Sequence, residues 1–251
     1  MVKYLNAELY KVFHRKYPLG FLAFILGGIT FIMFLIKYNA GPGADFGFLA
    51  GALVYVLSTG LYLVVLICDM VFSDQYKHNT LKNEVSYGVP RWRIYLGKLT
   101  AVIILSVILC VIILAFYLGL CWLMFPMGEG GGEAMIALGQ ACILAFPLWL
   151  GGLGFFLMLL FLVKGSAAAS IIYILLTAVL GGGFLDLLSL LMPKLASVFS
   201  AIQKCLLTEP FGSLISGGVV EMIPHAWCLG LAWFGGSTLL GLMLFRRREI
   251  S

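Results

Sequence analysis

Six apolar stretches, at residues 18–36, 48–68, 94–125, 135–163, 166–185 and 226–245, constrain the fold of this chain more than any other feature. The hydrocarbon core of a bilayer is about 30 Å thick, so a helix rising 1.5 Å per residue needs roughly 20 apolar residues to cross it. The spacing therefore predicts an all-α integral membrane protein with six transmembrane helices. Composition agrees: 62% of the 251 residues are hydrophobic and 11% are charged, against roughly 25% charged in ordinary soluble domains. The third and fourth stretches exceed the minimum, which implies tilt, a kink or an interfacial first turn. Pro147, followed by Gly151, Gly152 and Gly154, predicts a kink in the fourth. The first stretch follows a polar and amphipathic leader and is long enough to span, so it reads as a retained helix and not a cleaved signal.

Lys and Arg remain preferentially on the cytoplasmic side of a membrane protein. Lys3, Lys11, Arg15 and Lys16 precede the first span. Lys77, Lys82, Arg91, Arg93 and Lys98 surround the second loop, Lys164 lies in the fourth, and Arg246, Arg247 and Arg248 close the chain. Only Lys37, Lys194 and Lys204 remain for the opposite side, which predicts both termini in the cytoplasm. The net charge of +5 is then an orientation signal and a means of contacting anionic headgroups, with no call for nucleic acid.

The whole chain, 1–251, reads as one transmembrane domain with three special segments. Over 1–17, Leu5, Leu9, Val12 and Phe13 recur at helical spacing, with Glu8, Lys11 and Arg15 on another face. This predicts an amphipathic helix in the membrane interface. Over 73–90 lies the most polar stretch, where Ser73 or Asp74 can cap a short helix that Gly88 and Pro90 end. Over 193–225 the pattern predicts one or two short helices at the outer interface, re-entrant in one reading, broken at Pro210 and Gly212.

Enzymatic signals are absent. No phosphate-binding G-x-x-x-x-G-K-[ST] loop and no H-E-x-x-H zinc pattern occurs, and His14, His78 and His225 are dispersed. Ser166 and Ser213 follow glycines without a histidine in a neighbouring apolar stretch, a pattern more typical of close helix packing than of hydrolysis. No bound metal or cofactor is expected. Cys68, Cys110, Cys121, Cys142, Cys205 and Cys228 read as small buried hydrophobes, with a Cys205–Cys228 bridge as an alternative if both face an oxidising side. Asp69 and Asp186 stand at the ends of the second and fifth spans and are candidate intramembrane polar groups, since ionisable residues are costly there. Either could serve a gradient-driven secondary transporter, the alternative reading of the chain.

The second loop resembles the signature region of type-2 ABC exporter permeases. That family places an acidic residue after span two, then a G-T-L-K-like step, a Pro-Arg turn and a lysine at the start of span three. Here Asp74, Asn79-Thr80-Leu81-Lys82, Pro90-Arg91 and Gly97-Lys98 follow in that order, with Asp74 for the commoner Glu and Asn79 for the commoner Gly. Pro210-Phe211 in the outer segment adds to the likeness. The resemblance implies a permease in a bacterial cell membrane that pairs with a second permease chain, as a homodimer, and binds an ATPase subunit carrying ATP and Mg. The second-loop helix would be the coupling helix, with Asp74, Tyr76, Lys77, Thr80, Leu81, Lys82 and Glu84 contacting the ATPase. The family exports drugs, lipids, glycans and membrane-active peptides, and the apolar interior here suits a hydrophobic or amphipathic substrate. Tyr55, Tyr62, Phe155, Phe156 and Tyr173 are candidates to line its path.

Overall fold

The computed structural model describes residues 2–39, 44–77, 84–128, 130–163 and 165–247, and the side chains of all of these except Val2, residues 73–77, Gly182 and Arg247. Among the described residues the chain is helical with no strand. The order is α1 (Val2–Phe13), α2 (Lys16–Asn39), α3 (Phe46–Val56), a 3-10 turn (Leu57–Thr59), α4 (Gly60–Lys77), α5 (Arg91–Met124) and α6 (Gly131–Leu162). Then come α7 (Ser166–Ile174), a π-helical stretch (Leu175–Phe184), α8 (Leu185–Leu191), α9 (Ala196–Lys204), α10 (Ser213–Ser216) and α11 (Val219–Arg247).

Five units are long and apolar enough to cross a membrane: α2, the α3–α4 pair over Phe46–Phe72, α5, α6 and α11. The bent pair Ser166–Gly181 and Leu185–Leu191, whose parts meet at 51°, makes a sixth where the two are one broken span and a re-entrant loop otherwise. α6 runs through Pro147 as one helix. The second span passes through a 3-10 turn at Leu57–Thr59, and the stretch after Ser166 bends near its glycines, where Gly183 adopts φ +89°. The second-span break leaves no carbonyl stranded. Ser58 Oγ donates to the Tyr55 carbonyl at 3.2 Å, Thr59 Oγ1 to that of Val56 at 2.6 Å, and the Trp149 indole to that of Leu57 at 3.2 Å. Local bonds of this kind let a broken helix persist in lipid.

α6 is the axis of the bundle. Most of it is buried within the bundle, whereas α2 is almost wholly exposed on the outside. Its small residues explain this position, because they let α11 approach to backbone contact. A Cβ on Gly151 would stand 3.0 Å from the Gly230 carbonyl, one on Gly154 2.8 Å from Ser237 Oγ, and one on Gly230 would run into the Pro147 carbonyl. The glycines after Pro147 thus serve packing.

Two expectations for the polar segments are corrected. Ser73 and Asp74 do not start a separate helix: α4 passes through them to Lys77, because no Gly or Pro between Phe72 and Lys77 interrupts the ladder. The other end of the segment behaves as read. Gly88, at φ +80°, donates to the Val85 carbonyl and Val89 to that of Glu84, at 3.0 and 3.2 Å, the paired bonds of a glycine-ended helix. Second, α1 buries a different stripe. Glu8 and Val12 are 2% exposed while Phe13 is 47% exposed, so the inward face is Tyr4–Glu8–Val12, flanked by Leu5 and Leu9. The physical reason is a buried cation on α5, described below.

Beyond the fifth span, α9 carries Val198 and Ile202 exposed, and the chain then folds inward. Leu207, Phe211 and Leu214 join a cluster with Leu144, Leu148 and Ala226, and the Trp233 indole donates to the Cys205 carbonyl at 2.8 Å. Cys205 and Cys228 are both free thiols. The aromatic candidates divide: Phe156 and Tyr173 are wholly buried in the core, whereas Tyr55 and Tyr62 point outward, and Phe155 packs edge-on against Trp233 with 5.0 Å between ring centroids.

Candidate functional site

α1, the turn at residues 84–89, the start of α5 and the end of α11 meet at one end of the bundle. Arg91 ties the last two together, its Nη1 donating to the carbonyls of Phe245 at 3.1 Å and Arg246 at 2.7 Å. A cation at a helix C-terminus satisfies the carbonyls that the helix leaves unpaired. Arg15 donates to the Met70 carbonyl at 3.3 Å, fixing the end of α1 to α4.

Inside this junction lies a charge cluster. Lys98, one turn into the apolar part of α5, is 0% exposed, and its Nζ lies 3.0 Å from Glu8 Oε2. Glu8 also accepts from Lys11 at 2.7 Å. Glu84 closes the network, 3.6 Å from Lys11 and 3.9 Å from Lys98, and accepts a 2.8 Å hydrogen bond from the Tyr4 hydroxyl. Two cations thus face two carboxylates, and the cluster carries no net charge. The Tyr4 and Phe72 rings stand about Lys98 at 6.0 Å.

The sequence builds this locally. Tyr4, Glu8 and Lys11 are spaced four and three apart, which puts them on one face of α1. Gly97 supplies the room: a Cβ there would collide with the Tyr4 ring. Burial alone would raise the Glu8 carboxyl, but the charge of Lys98 and the bond from Lys11 outweigh it and hold Glu8 below its ordinary value. Burial would likewise lower Lys11, and Glu8, with Glu84, raises it instead. The Tyr4 hydroxyl is pushed far up by burial and by the two carboxylates, so it stays a donor.

Of the coupling residues read from the sequence, Glu84 is the one whose side chain the structure describes, and it faces this cluster, 15% exposed. Asp74, Tyr76 and Lys77 lie on the last turns of α4, their side chains outside the described set; Thr80, Leu81 and Lys82 lie outside the described residues. Asp69 and Asp186 do not come together. Asp69 accepts from Ser166 Oγ at 2.6 Å beside the start of α7, where the helix dipole favours a carboxylate. Asp186 is exposed and accepts from Gln203 Nε2 at 3.3 Å. Among the described residues no group of His, Cys, Asp and Glu is arranged to hold a metal ion.

Sequence reasoning placed Glu8 on the solvated face and did not connect it with Lys98. The available signal was Lys98 itself, the single charge inside residues 94–125, which needs a partner of opposite sign within reach. The cluster links three segments through charge-assisted hydrogen bonds, which is the chemistry of a joint.

The chain matches the family described as ABC-2 family transporter protein over residues 4–181. No curated protein matches it. The match runs from Tyr4 on α1 to Gly181 in the fifth span, takes in the whole charge cluster and covers more than two thirds of the 251 residues, and the chain belongs to this family of transporter membrane proteins.

Proposed function

We propose that the chain is the membrane subunit of an ABC exporter in a bacterial plasma membrane, with both termini in the cytoplasm. It pairs with a second permease chain, and an ATPase subunit that binds ATP and Mg docks on the second loop. The substrate is hydrophobic or amphipathic, of the membrane-active peptide or drug kind.

The observation that carries this reading is the bonding of Glu84, at the end of the second loop, to Tyr4 and Lys11 on α1 and its approach to Lys98 on α5. A force applied to the loop by a partner reaches the interfacial helix and the third span together, because the cluster and the Schellman-type turn at Gly88 leave little slack between them. The second span receives the same displacement directly, since α4 runs without interruption to Lys77. ATP then shifts an inward-facing against an outward-facing dimer by binding one arrangement of the loops better than the other. The gradient-driven alternative through Asp69 or Asp186 gains no comparable support, since one carboxylate is held by Ser166 and the other stands exposed.

The test is purification of the tagged chain in mild detergent with identification of what stays bound, and an ATPase assay on the complex. A stoichiometric subunit with a phosphate-binding loop is expected, with hydrolysis uncoupled from transport when Thr80, Leu81 and Glu84 are replaced together. A folded chain that repeatedly purifies alone and moves substrate on an ion gradient would reject the proposal.

A further inference from the structure

The break in the second span lies on one wall of an apolar cavity of about 300 Å³. α3 contributes Leu53, the 3-10 turn Leu57, α4 Val64, α5 Cys110 and Leu114, and α6 Trp149. Gly60 lets the Trp149 indole pack close against α4, since a Cβ there would run into it. This site is separate from the charge cluster.

The wall is almost wholly apolar. Its Thr59, Ser106 and Trp149 side chains donate to backbone, Thr59 to the Val56 carbonyl, Ser106 Oγ to that of Ile103 at 2.8 Å and Trp149 to that of Leu57, and the Cys110 thiol is only a weak hydrogen-bonding group. Water needs two or more polar partners to occupy a cavity. Yet a void of this size forfeits dispersion contacts along its whole lining, so an apolar occupant is favoured.

The mouth says where the occupant comes from. Val56, Val107, Val111 and Phe146 line the cavity and are 52%, 41%, 60% and 40% exposed. All four lie within helices that cross the membrane, so the cavity opens sideways, level with the hydrocarbon. An apolar cavity of about 150 Å³ holds a benzene ring, so one of about 300 Å³ admits a segment of an acyl chain.

We propose that this cavity is a lipid site that takes one acyl chain from the surrounding bilayer through the gap between α3 and α5. The chain fills the space left by the Leu57–Thr59 break and packs against Trp149. This holds whether or not an ATPase partners the protein.

Photolabelling tests it. The full chain is reconstituted in vesicles of phosphatidylcholine bearing a diazirine near the middle of one acyl chain, irradiated, digested and mapped by mass spectrometry. Label is expected on Leu57, Cys110 and Trp149 as well as on outward residues such as Phe31 and Trp122. Cys110→Phe, which fills the cavity, should remove the interior label and leave the outward label intact. Val107→Trp, which closes the mouth, should do the same, so that misfolding of one variant does not decide the outcome. Label confined to outward residues of the native chain would overturn the proposal. Interior label that survives both substitutions would overturn it as well.

Discussion

Lys98 Nζ lies 3.0 Å from Glu8 Oε2 across 90 residues of sequence, and the two side chains are 0% and 2% exposed. Neither charge is stable in that place alone, because removing an ion from water costs several kcal/mol unless a partner and further hydrogen bonds compensate. The amphipathic helix α1 is therefore held to α5 by an obligation of charge, and its buried stripe follows from that obligation more than from its apolar residues.

Breaking the pair from one side should be expensive. Glu8→Ala, which leaves Lys98 buried with only Glu84 at 3.9 Å, is expected to destabilise the protein by about 3–5 kcal/mol. Glu8→Leu combined with Lys98→Met should recover most of that loss, since the site would be apolar throughout. Thermal unfolding in detergent distinguishes the two. If the double variant is as unstable as the single, the cluster does not act as a pair.

The pH dependence follows from the directions of the shifts. Glu8 is depressed below its ordinary 4.5, so its contribution is complete above that value and is lost as pH falls through the lower value of the folded state. Lys11 is raised above its ordinary 10.5, so its contribution is complete below that value and is lost as pH rises beyond it. Stability should be flat in this respect across neutrality and decline in acid. Melting temperatures of Glu8→Gln measured from neutral pH downward should start lower and show a shallower acid decline than the native chain.

Gly97→Val should push the Tyr4 ring out of its place and loosen α1 without touching any charge. Hydrogen exchange read by mass spectrometry is expected to rise over residues 2–13 and to stay unchanged in α6. Tyr4→Phe, which removes only the hydroxyl bond to Glu84, should cost less, about 1.5–3 kcal/mol as for a bond to a charged group. Equal exchange in the native and Gly97→Val proteins would show that α1 is not anchored by this contact.

Gly230→Val should disrupt the packing of α11 on α6, because its Cβ would meet the Pro147 carbonyl, which is backbone and cannot turn aside. A loss of about 1–3 kcal/mol or more is expected from overpacking. Gly235→Ala on the same helix meets nothing within 4 Å and should be neutral or slightly stabilising. The comparison of the two by thermal unfolding separates close approach from a general intolerance of side chains on α11.

The sequence by itself determined the class of fold, all-helical with five to six apolar helices or helix pairs long enough to cross a membrane, because a bilayer demands long apolar helices and their length can be counted. It also determined the turn at Gly88, whose positive φ is a local property of glycine, two residues before Pro90. Tertiary structure decided the rest. Periodicity on α1 counts Glu8 as polar and so as solvated, whereas its burial depends on Lys98, a residue no local window contains. The 3-10 turn at Leu57–Thr59 and the bend near Gly183 were not legible in the sequence, because the partners around them come from distant segments: the Trp149 indole donates to the Leu57 carbonyl across 92 residues. The acyl-sized cavity likewise belongs to no single segment: it exists because Gly60, Cys110 and Trp149, each unremarkable in sequence, are brought to one space by the packing of four helices.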